Sequence, residues 1–287
     1  MSRLLFVLFT LALGTVTPTV ASGPPTYDPA ADLIAELHDP NGRVMVTAHR
    51  ACWAEGPENS VAAIEACTAV KPDIIEIDLR LTTDGKLVVI HDPTLSRMAG
   101  VDRPIAEMTL AEIRSHPLRE RDGRGDAMLT DERTPTFTEI LRANARRHLL
   151  ILDLKSEAQA TAAAAAKVLR QENACDIAMV AFVAPPDEAR KVLGPLLDCA
   201  TYIPNLRAHM GSMGAVSQSY AELDPIAVAV RFDDWDYLYE GTADVRAMGV
   251  RLWVNTLDDH HAAGLVDADA LVDPEALWGA LLMLGSI

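Results

Sequence analysis

Leu149-Leu150-Ile151-Leu152-Asp153-Leu154-Lys155 is apolar until its C-terminal end and then turns charged. A short apolar run of this kind reads as a strand covered on both faces, as in a parallel sheet. Residues two apart on a strand share a face, so Asp153 and Lys155 project together at that end. The same device recurs upstream, where Glu76 and Asp78 stand two apart in Ile75-Glu76-Ile77-Asp78-Leu79. An edge strand with its acids turned to water would alternate in the same way. The charged end of 149–155 decides against that alternative, because barrel enzymes carry their reactive groups at the C-terminal ends of their strands.

Working outward, strand-like runs fall at 44–48, 74–81, 149–154, 177–183, 201–203, 226–232, 251–255 and 270–273. Helix-like stretches at 60–70, 136–147, 158–171, 187–197, 242–248 and 274–284 separate most of them. Strands alternating with helices form βαβ units. Eight strands in this length of chain predict an α/β protein, a closed (β/α)8 TIM barrel. A doubly wound open sheet is the competing architecture, but no Gly-rich phosphate loop supports it. After 74–81 the alternation breaks: Asp84-Gly85 is a turn signal, 87–90 is a second strand-like run, and turn residues and charges continue to Pro135. The segment at about 84–135 is therefore read as an insertion after the second strand, carrying one short helix at 109–115 and placed over the barrel mouth.

The 287 residues carry 25 Lys and Arg against 41 Asp and Glu, a net charge of −16, with 49 % hydrophobic and 23 % charged residues. These are globular proportions. The acidic balance excludes a phosphate-backbone binder, so no nucleic acid partner is expected. Arg3, the apolar run at 4–13 and the small residues Thr19-Val20-Ala21-Ser22-Gly23 have the pattern of a signal peptide. The expectation is a leader over 1–22, then one barrel domain over 23–287, exported (periplasmic or secreted) and with no stable membrane insertion after cleavage. Export gives the four cysteines meaning, since disulfides persist in oxidising compartments. Four cysteines allow three pairings. Cys52 with Cys67 and Cys175 with Cys199 is the expected one, because each pair falls within one βα unit.

The candidate chemistry sits at the ends of the strands. Glu76, Asp78 and Asp153 would form a hard, oxygen-rich site suited to Ca²⁺ or Mg²⁺. His49-Arg50 closes the first strand and His91-Asp92 closes the run 87–90. Imidazole is the usual acid or base near neutral pH, and a guanidinium fork fits phosphate oxygens. Lys155 is left to meet an anionic ligand. The acidic run Asp233, Asp234 and Asp236 reads as a solvated loop.

His49-Arg50, Pro57-Glu58-Asn59-Ser60, Glu76-Ile77-Asp78 and His91-Asp92 together resemble the signature of the glycerophosphodiester phosphodiesterase family. Leu152-Asp153-Leu154-Lys155, Leu252-Trp253-Val254-Asn255 and Leu271-Val272-Asp273-Pro274 resemble its later strands. The resemblance implies a TIM barrel in which Glu76, Asp78 and Asp153 hold one divalent cation, Ca²⁺ or Mg²⁺. It implies His49 and His91 as the acid–base pair, Arg50 and Lys155 on the phosphate, and Trp253 against the alcohol. Glu58 and Asn59 would belong to the substrate-binding first loop. The implied reaction is hydrolysis of a glycerophosphodiester to sn-glycerol 3-phosphate and an alcohol. Competing readings are a lysophospholipase D- or sphingomyelinase D-like enzyme acting on a lipid, and a non-catalytic exported binding protein. Two departures stand out: Ala51 replaces the usual Gly after His-Arg, and Asp153 stands where the family often has Glu.

Overall fold

The apolar run at 149–154 is a strand along its whole length, and the strand–helix rhythm it sets continues around a parallel sheet. The computed structural model describes residues 28–257 and 261–283. In chain order these form α1 (Pro29–Leu37), β1 (Thr47–Ala48), α2 (Val61–Val70), β2 (Ile74–Leu81), β3 (Leu87–Val89) and β4 (Thr94–Leu95). The insertion continues with α3 (Ser96–Ala99), β5 (Val101–Pro104) and α4 (Leu110–Arg114). Then come α5 (Phe137–Asn144), β6 (Leu149–Leu154), α6 (Ala158–Gln171), β7 (Ala178–Phe182), α7 (Pro186–Leu193) and β8 (Thr201–Arg207). The chain ends with α8 (Met213–Ser219), β9 (Ala227–Arg231), α9 (Trp235–Ala247), β10 (Arg251–Val254), α10 (Asp267–Ala270) and α11 (Ala280–Met283). The leader expected at 1–22 lies outside the described residues.

The sheet order is β1-β2-β6-β7-β8-β9-β10, every neighbour parallel, with β3 antiparallel on β2. Seven parallel strands with helices between them make a curled sheet of the α/β, (β/α)8 kind, in which no eighth parallel strand is formed among the described residues. One expected strand is absent. The run 270–273 is the end of α10 and a turn, and it exposes Leu271 and Val272 by 79 % and 87 %. The reason is local: Leu271 N donates to Asp267 O and Asp273 N to Asp269 O, so amides that a strand would pair are already bonded within the turn. Arg251, at the start of β10, ties that edge back toward β1. Its guanidinium, 5 % exposed, donates to the carbonyls of Glu36 at 3.1 Å, Asp39 at 2.7 Å and Arg43.

The elements form for local reasons. Ser60 Oγ accepts Ala63 N at 3.1 Å and starts α2, which ends at Lys71 in the left-handed region. Asp234 caps α9 through Asp236 N at 2.9 Å, so the helix begins at Trp235, well ahead of the expected 242. Gly85, at φ +69°, makes the turn between β2 and β3. The insertion is knit by a capping box of Thr109 and Glu112 on α4, and by a small core of Val88, Ile90, Leu95, Ile105, Met108 and Ile113. Disulfides join Cys52 to Cys67 and Cys175 to Cys199. The first fastens the loop after β1 to α2.

Candidate active site

On β2, Ile75, Ile77 and Leu79 are fully buried on one face, so Glu76, Asp78 and Arg80 share the other. The parallel register sets Asp153 of β6 directly beside Asp78. Carboxylate oxygens of Glu76, Asp78 and Asp153 all lie within 4.8 Å of one another. Asp78 is fully buried: Asn59 Nδ2 donates to its Oδ2 at 2.6 Å, and Lys155 Nζ stands 3.2 Å from Oδ1. That Oδ1 is buried and has no hydrogen-bond partner. Glu76 Oε2 accepts the Arg50 backbone N–H at 2.9 Å. Burial, and then the charges of Asp78 and Asp153, push the Glu76 carboxyl well above its ordinary value.

Such a cluster calls for a cation. Oxygens bound at about 2.4 Å on opposite sides of one Ca²⁺ stand about 4.8 Å apart, so the span fits a single ion. Three carboxylates make a hard donor set, and Asp78 Oδ1, which has the Lys155 ammonium at 3.2 Å but no hydrogen-bond partner, is a ligand atom available to an ion. Residues and group fit.

His49 follows β1, with Nε2 at 3.9 Å from Glu76 Oε2. Burial, aided by the Arg50 charge, lowers its pKa to about 4. His91 follows β3, and its Nδ1 is 2.7 Å from Asp92 Oδ1. Asp92 in turn accepts Arg97 Nε at 2.8 Å and Nη2 at 2.9 Å. Burial alone would raise the Asp92 carboxyl; Arg97 and His91 outweigh it and hold Asp92 far below the usual carboxylate range. Lys155 Nζ donates to Asp153 Oδ2 at 2.6 Å. Burial disfavours the ammonium, but Asp153 and Asp78 prevail and its pKa is raised.

Glu58 and Asn59 brace this assembly from within. Glu58, 3 % exposed, accepts Arg50 Nη1 at 3.0 Å on one oxygen and Arg97 Nη2 at 2.5 Å on the other. Asn59 Oδ1 accepts the Asp78 backbone N–H at 3.2 Å, which completes a two-way clasp. Arg50, Ala51 and Asn59 hold φ of +55°, +66° and +59°. Left-handed backbone costs a residue with a Cβ roughly 1–2 kcal/mol, so the loop is held by its bonds rather than by its own preference. Trp253 lies on β10 and donates from Nε1 to Asn255 Oδ1 at 3.0 Å.

Two supports escaped the sequence reading. Arg80 chelates the His91 carbonyl with Nε and Nη2, at 3.0 and 2.6 Å, and reaches the Lys155 carbonyl at 2.9 Å. Its place two residues after Asp78 was the available signal. Arg97, which grips Asp92, lies on the insertion side, where no periodicity marks it.

The model of the Glycerophosphoryl diester phosphodiesterase family matches residues 49–181, and that of a domain of unknown function matches 202–286. A glycerophosphodiester phosphodiesterase of Caldanaerobacter subterraneus subsp. tengcongensis is 34 % identical over 115 residues, which is 40 % of this chain and 46 % of that protein. The chain thus matches less than half the length of that relative. Among solved structures, an Oleispira antarctica phosphodiesterase in complex with the product sn-glycerol-3-phosphate superposes with a TM-score of 0.64 at 23 % identity, over 84 % of this chain and 90 % of that one. A glycerophosphoryl diester phosphodiesterase from Parabacteroides distasonis gives a TM-score of 0.63 at 22 % identity, over 78 % and 75 % of the two chains.

Proposed function

We propose that this chain, whose residues 49–181 match the model of the glycerophosphoryl diester phosphodiesterase family, hydrolyses glycerophosphodiesters to sn-glycerol 3-phosphate and an alcohol. The observation that carries the reading is the three-carboxylate cluster within 4.8 Å, flanked by His49, Arg50 and Lys155. Glu76, Asp78 and Asp153 hold one divalent cation, Ca²⁺ or Mg²⁺, which when bound supplies positive charge against the phosphoryl oxygens. Arg50 and Lys155 orient the diester by its anionic oxygens. Glu58 and Asn59 hold Arg50 and Asp78 in place for this task. His49 and His91 form the acid–base pair: one takes the proton of the nucleophile, either water or the neighbouring glycerol hydroxyl (whose cyclic phosphate water then opens), and the other gives a proton to the departing alkoxide. His91 is engaged at Nδ1 by Asp92, which leaves Nε2 for the transfer. Trp253 packs against the alcohol. The leader at 1–22 directs export and is removed; N-terminal sequencing of the exported protein tests this.

The experiment is release of glycerol 3-phosphate from glycerophosphocholine, run with EDTA and again with Ca²⁺ or Mg²⁺ restored. Metal-dependent release is expected. No release by folded, metal-loaded protein would overturn the reading, and turnover of a lysophospholipid in its place would transfer the site to a lipid substrate.

A further inference from the structure

The loop that carries His49 and Arg50 stands in a conformation its own residues disfavour. Arg50 and Ala51 follow one another in the left-handed region, at φ +55° and +66°, and each carries a Cβ. Hydrogen bonds hold the two ends of this loop unequally. At its far end they are short: the Glu58 N–H donates to Arg121 O at 2.8 Å, and the Asn59 N–H to Arg50 O at 3.0 Å. Close to the strain they are long. The Ala51 N–H donates to Glu76 O at 3.2 Å and the Cys52 N–H to Ala63 O at 3.3 Å. The Glu55 and Gly56 nitrogens stand 3.5 Å from the carbonyls of Cys52 and Trp53. Amide bonds longer than about 3.2 Å lie outside the usual range and are weak. The strained end of the loop therefore needs a stronger restraint than its own amides.

That restraint is covalent. Cys52, next to Ala51, is bonded to Cys67, which shares the buried face of α2 with Ala63 and Ile64. The anchor is thus part of the core. Cys175–Cys199 offers an internal contrast: Cys175 precedes β7 and Cys199 precedes β8, at the strand ends opposite the mouth. We propose that the Cys52–Cys67 disulfide is a positioning device that keeps Ala51 left-handed against its preference and so fixes where His49 and Arg50 meet the substrate. What the loop then does rests on the hydrolase reading. Without the link, Ala51 relaxes toward backbone that suits a Cβ, and its two preceding residues turn with it. Glycine occupies the left-handed region without that penalty. Of the two strained positions only 51 can take glycine, because Arg50 gives its guanidinium to Glu58. A glycine at 51 therefore substitutes for the disulfide.

Both links restrict the unfolded chain and stabilise the fold, so a change in Tm does not test the idea. The test is kcat/KM for glycerophosphocholine, measured on metal-loaded variants well below their unfolding temperatures. Cys52→Ala/Cys67→Ala should lose roughly five- to thirty-fold, the population shift equivalent to left-handed strain at one residue. Ala51→Gly added to that variant should restore most of the loss, and in the parent should leave kcat/KM close to its starting value. Cys175→Ala/Cys199→Ala should lower Tm and keep kcat/KM. An unlinked variant as active as the parent, an equal loss in both disulfide variants, or a loss that Ala51→Gly does not restore would overturn the proposal. If Cys52→Ala/Cys67→Ala does not fold, the Cys175→Ala/Cys199→Ala protein is treated after folding with a phosphine, which converts its remaining disulfide to two thiols. Hydrogen exchange gives a readout free of turnover: protection over residues 50–56 should fall without the link and return with Ala51→Gly. If the parent cleaves no glycerophosphodiester, the hydrolase reading fails and exchange decides the fate of the loop, where unchanged protection would refute its dependence on the disulfide.

Discussion

Glu76 shows how single residues set the character of the site. Its carboxyl is pushed up first by burial and then by Asp78 and Asp153, so in the metal-free protein three acids oppose one another at short range. Removing one should relieve that opposition. Glu76→Gln keeps an oxygen for the Arg50 N–H and is expected to unfold at a higher temperature than the parent in EDTA. Millimolar Ca²⁺ or Mg²⁺ should then raise the parent's Tm by several degrees, since ligand at a hundred times its Kd adds about 2.7 kcal/mol, and should raise the variant's far less. Differential scanning calorimetry reads both effects; a parent Tm indifferent to either ion would discard the cation site. The sequence showed Glu76, Asp78 and Asp153 because a period of two and a charged strand end are local signals. Arg97 gives no such signal. It reaches Glu58 across 39 residues and Asp92 across five, and only folding brings those distances to hydrogen-bond length.

Elements were legible where their hydrogen bonding is settled by their own residues. The Ala-rich helix α6 runs 158–171 as the sequence indicates, and β6 ends at its charged residues. The expected strand at 270–273 failed because α10 and the turn after it engage the same amides first, a competition that apolar content alone does not reveal. The helix α2 offers a test of local control. It stops at Lys71, an exposed residue held at φ +59° and ψ +48°, whose N–H bonds to Cys67 O at 2.7 Å. Glycine takes that conformation without a Cβ penalty. Lys71→Gly should stabilise the protein by about 0.5–1 kcal/mol through the cap, seen as a higher urea midpoint at constant m-value. A lower midpoint would mean that the Lys71 side chain contributes more than the backbone strain removes.

At the scale of the molecule, the parallel sheet has two ends, β1 and β10, with no ladder between them among the described residues. Among the described residues, the Arg251 side chain is hydrogen-bonded across that seam. Arg251 is almost fully buried at the start of β10, and its guanidinium satisfies three carbonyls, one in the last turn of α1 and two between α1 and β1. Arg43, in the same segment, is itself fastened to Asp73 before β2, at 3.0 and 2.5 Å, and Asp73 also accepts the Val46 N–H at 2.8 Å. Arg251 therefore closes a chain of contacts from β10 through the approach to β1 and on to β2. This matters at the opposite end, where His49 follows β1 and Trp253 sits on β10: the seam fixes how the two halves of the mouth stand to each other. Arg251→Leu preserves bulk but removes every donor. Charged hydrogen bonds contribute about 1.5–3 kcal/mol each, and the freed carbonyls lie near enough to the surface for water to recover part of that. A loss of about 2–3 kcal/mol in urea unfolding is expected. Hydrogen exchange should quicken in β1 and β10 and stay slow in β2 and β6, whose ladders are intact. A uniform loss of protection, or no loss of stability, would show that the seam is held by something other than this guanidinium.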